Sequence, residues 1–203
     1  GEMLNDPVHP RMGAGEPRYL RLDSPTEYAA VMLGRNRPPG MTDAQFDALK
    51  PVTATNPAAK DEDIAKDSFY VHSIPAEFKV TTDFIERGQE RFNIYCSPCH
   101  GLVGYGDGMV NQRAQALQTA GLDPLAAGKW VQPQDLQAAK IRTRPDGNIF
   151  NTITNGARTM PPYDKQISVP DRWAIVAYIR ALQRSQDAQV SDLTPPELQK
   201  LAR

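Results

Sequence analysis

Two cysteines and a histidine in one short stretch constrain this chain more than any other feature. The stretch FNIYCSPCHG, residues 92–101, holds the only two cysteines of the 203-residue sequence, Cys96 and Cys99, and His100 follows directly. Two thiols at this spacing could form a disulfide, bind zinc, act as a redox dithiol or attach a haem. The rest of the sequence decides between these sites.

Three of the four sites fit the sequence poorly. A structural zinc needs four ligands, but the remaining histidines, His9 and His72, lie in a proline-rich region, and there is no second cysteine pair. A thioredoxin-like dithiol would be surrounded by strands and crossover helices, and the sequence has no alternating strand pattern. A disulfide across two residues would constrain very little of the chain, since the effect grows with loop length.

The pattern Cys-x-x-Cys-His is the attachment signature of c-type haem. We expect Cys96 and Cys99 to form thioether bonds to the two vinyl groups along one edge of the porphyrin. The next residue, His100, would then lie beneath the iron as its proximal ligand. The sequence therefore predicts one covalent haem c.

A methionine is the expected ligand on the other side of the iron. Met160 lies in the stretch NGARTMPPYDKQI, where two prolines follow it and would stiffen the loop. Met109 is the alternative sulfur ligand, but its short tether to His100 favours a place in the pocket instead. His72 would give a bis-histidine site of lower potential, and His9 lies still farther upstream.

Six further side chains are predicted to contact the haem. Buried carboxylates such as propionates need hydrogen-bond donors or cations, and apolar residues on one side of a helix near residue 147 would line the pocket. The predicted donors are Trp130, Arg142 and Arg144, and the predicted lining residues are Ile149, Phe150 and Ile153.

The N-terminal 80 residues form a separate, proline-rich part of the sequence. Residues 1–80 contain half of the 18 prolines, which favour extended backbone. We expect a mostly irregular arm with helical turns at Ser24–Leu33 and Thr42–Lys50. Such an arm is either disordered or lies on a partner, and its aromatic and methionine side chains favour docking on partner subunits.

Residues 81–187 are predicted to form a small all-α domain, followed by a tail at 188–203. A first helix would begin at a capping pair, Asp83 and Glu86. Gly88 inside that helix costs about 1 kcal/mol relative to alanine, which suggests that another backbone approaches it closely. A last helix would begin at Ser168, and short helices are expected at Pro133–Lys140 and Gly147–Asn155.

The composition gives no indication of nucleic-acid binding or of a membrane-spanning helix. The net charge is −1 and no basic run is present, so the sequence gives no indication of nucleic-acid binding. The longest candidate apolar run, WAIVAYI, is far below the roughly 18–20 residues that a membrane-spanning helix requires.

The haem motif and the two helices resemble the class I cytochromes c. In that family a glycine and an aromatic residue on the first helix pack against an aliphatic and an aromatic residue on the last. Gly88 and Phe92 match the first pair, and Ile175 and Tyr178 match the second. The resemblance covers residues 81–187 and implies the class I fold and one-electron transfer.

Three segments resemble, more narrowly, the mono-haem cytochrome subunit of alternative complex III, a bacterial quinol-oxidising membrane assembly. They are RGQERFNIYCSPCHG, DGNIFNTITNGARTMPPY and DRWAIVAYIRALQ. The resemblance implies an exported, processed chain on the periplasmic side of the cytoplasmic membrane, either peripheral or held by a lipid anchor upstream of Gly1. It also implies an electron-transfer subunit whose partners are a multihaem cytochrome or iron–sulfur subunit and a soluble electron acceptor.

Other functions stay open on the sequence alone. The chain could be a free or dehydrogenase-associated periplasmic electron carrier, or mainly an assembly subunit whose arm binds its neighbours. A haem enzyme or gas sensor would need an open iron site and a distal acid–base residue. Because no histidine follows His100, a distal imidazole could come only from the arm.

Overall fold

Helices are the regular elements in the part of the chain that the structure describes. The structure, a computed structural model, describes residues 22, 24–52, 58–122 and 130–201. Within these ranges the chain forms no β-strand, and the predicted all-α class is confirmed. None of the helices in the same ranges is long and apolar enough to cross a membrane. The helices are α1 (Pro25–Leu33), α2 (Asp43–Ala48), α3 (Asp61–Ala65), α4 (Thr82–Tyr95), α5 (Ser97–His100), α6 (Met109–Thr119), α7 (Ala139–Arg142), α8 (Asp146–Asn155), α9 (Val169–Gln186) and α10 (Pro195–Leu201), with one 3₁₀ turn at Val190–Asp192.

Helices α4 and α9 cross at Gly88. A Cβ atom on Gly88 would lie 2.0 Å from the carbonyl oxygen of Ala174, so only glycine lets the two backbones meet there. One turn along, the rings of Phe92 and Tyr178 pack with their centroids 5.3 Å apart. The predicted close backbone approach and the predicted aromatic pair are therefore both confirmed.

A buried ion pair joins the same two helices. Arg87 on α4 donates to both carboxylate oxygens of Asp171 on α9, at 2.8 and 3.2 Å. Asp171 is almost fully buried, and a two-pronged guanidinium contact of this kind fixes geometry as well as charge. The pair helps to set how α9 lies against α4.

The first helix begins earlier than predicted. The prediction that Asp83 and Glu86 form the capping pair is wrong, because Thr81 is the N-cap and its hydroxyl accepts from the N–H of Phe84. Asp83 lies instead in the first turn, where its charge is favourable beside the helix N-terminus. Ser168 caps α9 as predicted, accepting from the N–H of Asp171.

The described part of the arm folds back onto the chain's own domain. The helical turns predicted there are confirmed as α1 and α2. Val31 on α1 is fully buried, and its carbonyl accepts a 2.7 Å hydrogen bond from the indole of Trp173 on α9. Docking on partner subunits stays a prediction, but Val31 in the arm is already covered within the chain.

Main-chain hydrogen bonds fasten the arm to α8. The N–H of Val71 donates to the carbonyl of Gly34 at 3.1 Å, and the N–H of Gly147 donates to the carbonyl of Val71 at 2.9 Å. A Cβ atom on Gly147 would lie 2.0 Å from the Gly34 oxygen. Two glycines therefore allow three chain segments to cross in contact.

The remaining helices match the predictions unevenly. Helix α8 fits the predicted Gly147–Asn155, while α7 is shorter than the predicted Pro133–Lys140 and displaced towards the C-terminus. Helix α6 was not predicted, because Asn111 and Ala114 are its only buried residues and no apolar stripe marks it.

Candidate haem site

The two cysteines lie where α4 passes into the single turn α5. Cys96 ends α4 and precedes α5, so the motif continues the first helix with only a change of direction. Cys96 is buried and Cys99 is partly exposed, and both are free thiols. Burial raises the pKa of the Cys96 thiol to about 12 and also raises that of Cys99. Reactive dithiols need lowered pKa values, so the surroundings disfavour a redox dithiol.

A zinc site finds no support in this part of the structure. Across residues 22, 24–52, 58–122 and 130–201, no group of three or more histidine, cysteine, aspartate and glutamate side chains could hold a metal ion. His72 is exposed, and His9 lies outside the described residues. The donor set at the motif therefore remains two thiols and one imidazole.

His100 is held in one tautomer and one orientation. Its Nδ1 lies 3.1 Å from the carbonyl oxygen of Gln134, which can only accept, so Nδ1 carries the proton. Burial lowers the pKa of His100, more than the Gln134 contact raises it, which favours the neutral ring. Nε2 is therefore left with a lone pair available for a metal, the arrangement in which the second nitrogen orients a ligating histidine.

The glycine-rich stretch after His100 folds back over the motif. The N–H of Gly106 donates to the His100 carbonyl at 2.8 Å, and the N–H of Gly108 donates to the Cys99 carbonyl at 3.0 Å. A Cβ atom on Gly108 would lie 2.4 Å from the carbonyl oxygen of Pro98. This loop fixes the main chain on which both Cys99 and His100 are carried.

Met160 closes a tight turn directly after α8. Ala157 and Met160 exchange two backbone hydrogen bonds, at 3.0 and 2.9 Å, around Arg158, which has a positive φ of 55°. Gly156 opens the turn at φ 74°, and a Cβ atom there would lie 2.5 Å from the Met160 carbonyl oxygen. Backbone hydrogen bonds and glycine therefore fix the shape of this turn. The Met160 side chain is partly buried against the main apolar core.

The segment after Met160 runs beside the cysteines. The N–H of Tyr163 donates to the carbonyl of Ile153 at 3.0 Å, and its ring lies 6.2 Å from that of Tyr95, the residue before Cys96. Burial first, and then the proximity of Cys96 and Cys99, raises the pKa of the Tyr163 phenol. The fold thus brings the Met160 segment and the cysteine motif, 60 residues apart in sequence, into one neighbourhood.

The structure places Met109 away from the core. Met109 is the first residue of α6, and 74% of its surface is exposed in the protein. Met160, by contrast, packs against the core cluster that includes Cys96. The two candidate sulfur ligands therefore differ in burial, and the exposure of Met109 does not match the place in the pocket that the sequence predicts.

The three predicted propionate donors have different surroundings. The indole of Trp130 donates to the Asn111 side chain at 2.7 Å, and Arg142 donates to the carbonyl of Gln183, on α9. Arg144 contacts the Asn148 side chain at 3.4 Å, but its Nε is buried and lacks a hydrogen-bond partner among the described residues. Arg144 therefore retains one buried N–H that could serve a carboxylate.

The predicted lining residues are buried on α8. Ile149, Phe150 and Ile153 all belong to the cluster that contains Cys96. Phe150 stacks on Trp173 with a centroid distance of 4.2 Å and an interplanar angle of 15°, so its ring serves the packing of α8 on α9. Sequence reasoning missed Gln134 and Tyr163, because a carbonyl acceptor and an isolated tyrosine follow no spacing pattern.

Comparison with known families agrees with this geometry. Residues 83–179 match the family model described as Cytochrome C oxidase, cbb3-type, subunit III. This region is a class I cytochrome c domain. No curated protein matches the chain. Among solved structures, it is similar to a chain of the Kuenenia stuttgartiensis reducing HAO-like protein complex, with 19% identity over 76% of this chain and 70% of that one and a TM-score of 0.41.

A cytochrome c domain binds haem c covalently, and the residues present fit that group. Cys96 and Cys99 are free, His100 offers Nε2, and Arg144 has a buried N–H without a partner. Met160 lies on the segment that returns to the cysteines. Haem bound here supplies an iron that can gain and lose one electron.

Proposed function

We propose that this chain is a mono-haem c-type cytochrome of a membrane-bound, quinol-oxidising complex of the alternative complex III kind. Cys96 and Cys99 hold the haem, and His100 and Met160 are its two axial ligands. The chain passes single electrons towards a periplasmic acceptor. The observation that carries the proposal is the fixed His100 ring, held through Nδ1 by the Gln134 carbonyl with Nε2 left to ligate.

Main-chain contacts fix the positions of both proposed ligands. His100 is oriented by a main-chain carbonyl, and such an acceptor raises the basicity of a ligating histidine. Met160 lies in the turn that begins at Gly156 and is closed by two backbone hydrogen bonds with Ala157. With both axial positions taken, the site leaves no place for a substrate on the metal, which suits electron transfer better than catalysis.

The placement in a complex rests on the three segments that resemble the alternative complex III subunit. The arm is proposed to contact neighbouring subunits through its outer side, where Tyr28 on α1 is 52% exposed. The same proposal puts the chain on the periplasmic side of the cytoplasmic membrane, peripheral or lipid-anchored.

Purification of the native protein tests both the haem assignment and the placement in a complex. The mass of the chain should exceed that of the polypeptide by one haem, and a mass equal to the polypeptide alone would overturn the haem assignment. Mild detergent extraction should then co-purify a multihaem cytochrome or iron–sulfur subunit with quinol oxidation activity. Recovery of a single haem-bearing chain in the aqueous fraction would support a free periplasmic carrier instead.

Limited proteolysis of the purified assembly tests the arm separately. Residues 1–80 should be protected in the assembly and cut faster in the isolated chain. Equal cleavage rates in both would contradict docking of the arm on partner subunits.

A further inference from the structure

One buried arginine lies beside the segment that carries Met160. Arg172 is in the first turn of α9 and is only 5% exposed. The segment from Gly156 to Ile167 leaves the end of α8 and returns to the start of α9. Arg172 therefore lies close to the point where the segment returns.

The guanidinium of Arg172 reaches back to the helix from which the segment leaves. Its Nη1 donates to the hydroxyl of Thr154, in the last turn of α8. The Thr154 hydroxyl in turn donates to the carbonyl of Phe150 at 2.8 Å, and the guanidinium carbon lies 4.9 Å from the centre of the Phe150 ring. These contacts tie the first turn of α9 to the last turns of α8.

A carboxylate in the segment also attracts this cation electrostatically. Burial lowers the pKa of Arg172, and the carboxylate of Asp164, four residues after Met160, raises it. The guanidinium therefore has an attractive partner in the returning part of the segment. It acts alongside the Tyr163–Ile153 hydrogen bond and the buried side chain of Ile167.

We infer that Arg172 is a positioning residue that holds the Gly156–Ile167 segment closed, and so keeps the Met160 sulfur on the iron. The inference rests on the proposed function, in which Met160 is the axial ligand. Loss of a hydrogen bond to a charged group shifts an equilibrium by about tenfold or more. The fraction of molecules with a displaced Met160 should rise by that factor when the contact to Thr154 is removed.

Carbon monoxide binding to the reduced, haem-loaded protein measures that fraction, because the gas binds only when the sulfur has left. Arg172→Gln and Thr154→Val should each bind carbon monoxide about tenfold faster than the wild type. Thr154→Ser keeps the hydroxyl and should bind at the wild-type rate. Arg184→Gln, an exposed arginine near the other end of the same helix that pairs with Asp192, should also be unchanged.

The near-infrared sulfur-to-iron charge-transfer band of the oxidised protein gives a second readout. On heating, the band should disappear at a lower temperature in Arg172→Gln and Thr154→Val than in the wild type or Thr154→Ser. Should Arg172→Gln fail to fold, the comparison of Thr154→Val with Thr154→Ser decides the question alone.

The outcomes separate this inference from the proposed function. Wild-type carbon monoxide binding and band stability in Thr154→Val would overturn the role of Arg172, provided that Met160→Leu abolishes the band. A band that survives in Met160→Leu would overturn Met160 as the ligand, and with it the proposed coordination.

Discussion

The indole N–H of Trp173 donates a 2.7 Å hydrogen bond to the carbonyl of Val31, 142 residues earlier in the chain. Both residues are fully buried. Trp173 also stacks on Phe150 and lies 6.2 Å from the ring of Phe78, which precedes α4. The arm and the cytochrome c domain are thus joined at the centre of the α8–α9 core.

Trp173→Phe should destabilise the protein by about 1–3 kcal/mol, because it leaves the buried Val31 carbonyl without a donor. Urea unfolding of the haem-loaded protein measures the change. Tyr105→Phe is the matched control, since it removes one exposed hydrogen bond, to Gln186. The control should change the free energy of unfolding by no more than about 0.5 kcal/mol. Equal losses in the two variants would contradict the structural importance of the Val31 contact.

Gly88→Ala should cost about 3 kcal/mol, the upper part of the usual range for overpacking, although alanine is the better helix former by about 1 kcal/mol. The added Cβ would meet the Ala174 backbone, which cannot move without displacing α9. Gly40→Ala is the control, because φ at Gly40 is positive but nothing lies within 4 Å of the new atom. Its cost should be limited to the backbone strain of about 1–2 kcal/mol. A Gly88 variant as stable as the Gly40 variant would show that the helices can separate.

The crossing of α4 and α9 was predictable because its determinants are side-chain spacings. Gly88 and Phe92 lie four residues apart on the first helix, Ile175 and Tyr178 lie three apart on the last, and the cysteine motif fixes where the first helix must end. The tight turn around Met160 was predictable from the glycine and prolines beside it, while its role as a ligand stays a prediction. In each case the sequence itself contains the geometric constraint.

The packing of the arm was not predictable on the same grounds. Its closest contacts to α8 use the main chain of Gly34, Val71 and Gly147, and main-chain hydrogen bonds leave no residue pattern. Its buried side chains, among them Val31 and Tyr70, lie on short elements that cannot show an amphipathic period. The acceptor for His100 escaped prediction for the same reason, since any residue supplies a carbonyl.

Met160→Leu should abolish the near-infrared charge-transfer band of the oxidised protein and lower its reduction potential, since a thioether ligand favours the reduced iron. Met109→Leu is the control and should retain the band, because Met109 is largely exposed at the start of α6. Absorption spectra of the two purified variants at equal haem content provide the measurement. Loss of the band in the Met109 variant alone would reverse the assignment.

We expect the phenol of Tyr70 to make the junction of arm and domain sensitive to alkaline pH. Tyr70 is only 7% exposed. Burial first, and then the carboxylate of Asp67, raises its pKa above the ordinary value of 10.0, while Asn148, Arg35 and Arg144 act in the opposite direction. The folded protein therefore holds the Tyr70 proton more tightly than the unfolded chain does.

A group with a raised pKa in the folded state stabilises the fold fully below its unfolded value and loses that contribution as pH rises through its folded value. The free energy of unfolding should therefore fall as pH increases above 10.0, the unfolded value of Tyr70. Tyr70→Phe removes this titration, so its stability should fall less steeply over the same range. Urea unfolding of both proteins at a series of pH values above and below that point measures the two slopes. Identical slopes would mean that the buried phenol is not the group that links stability to alkaline pH.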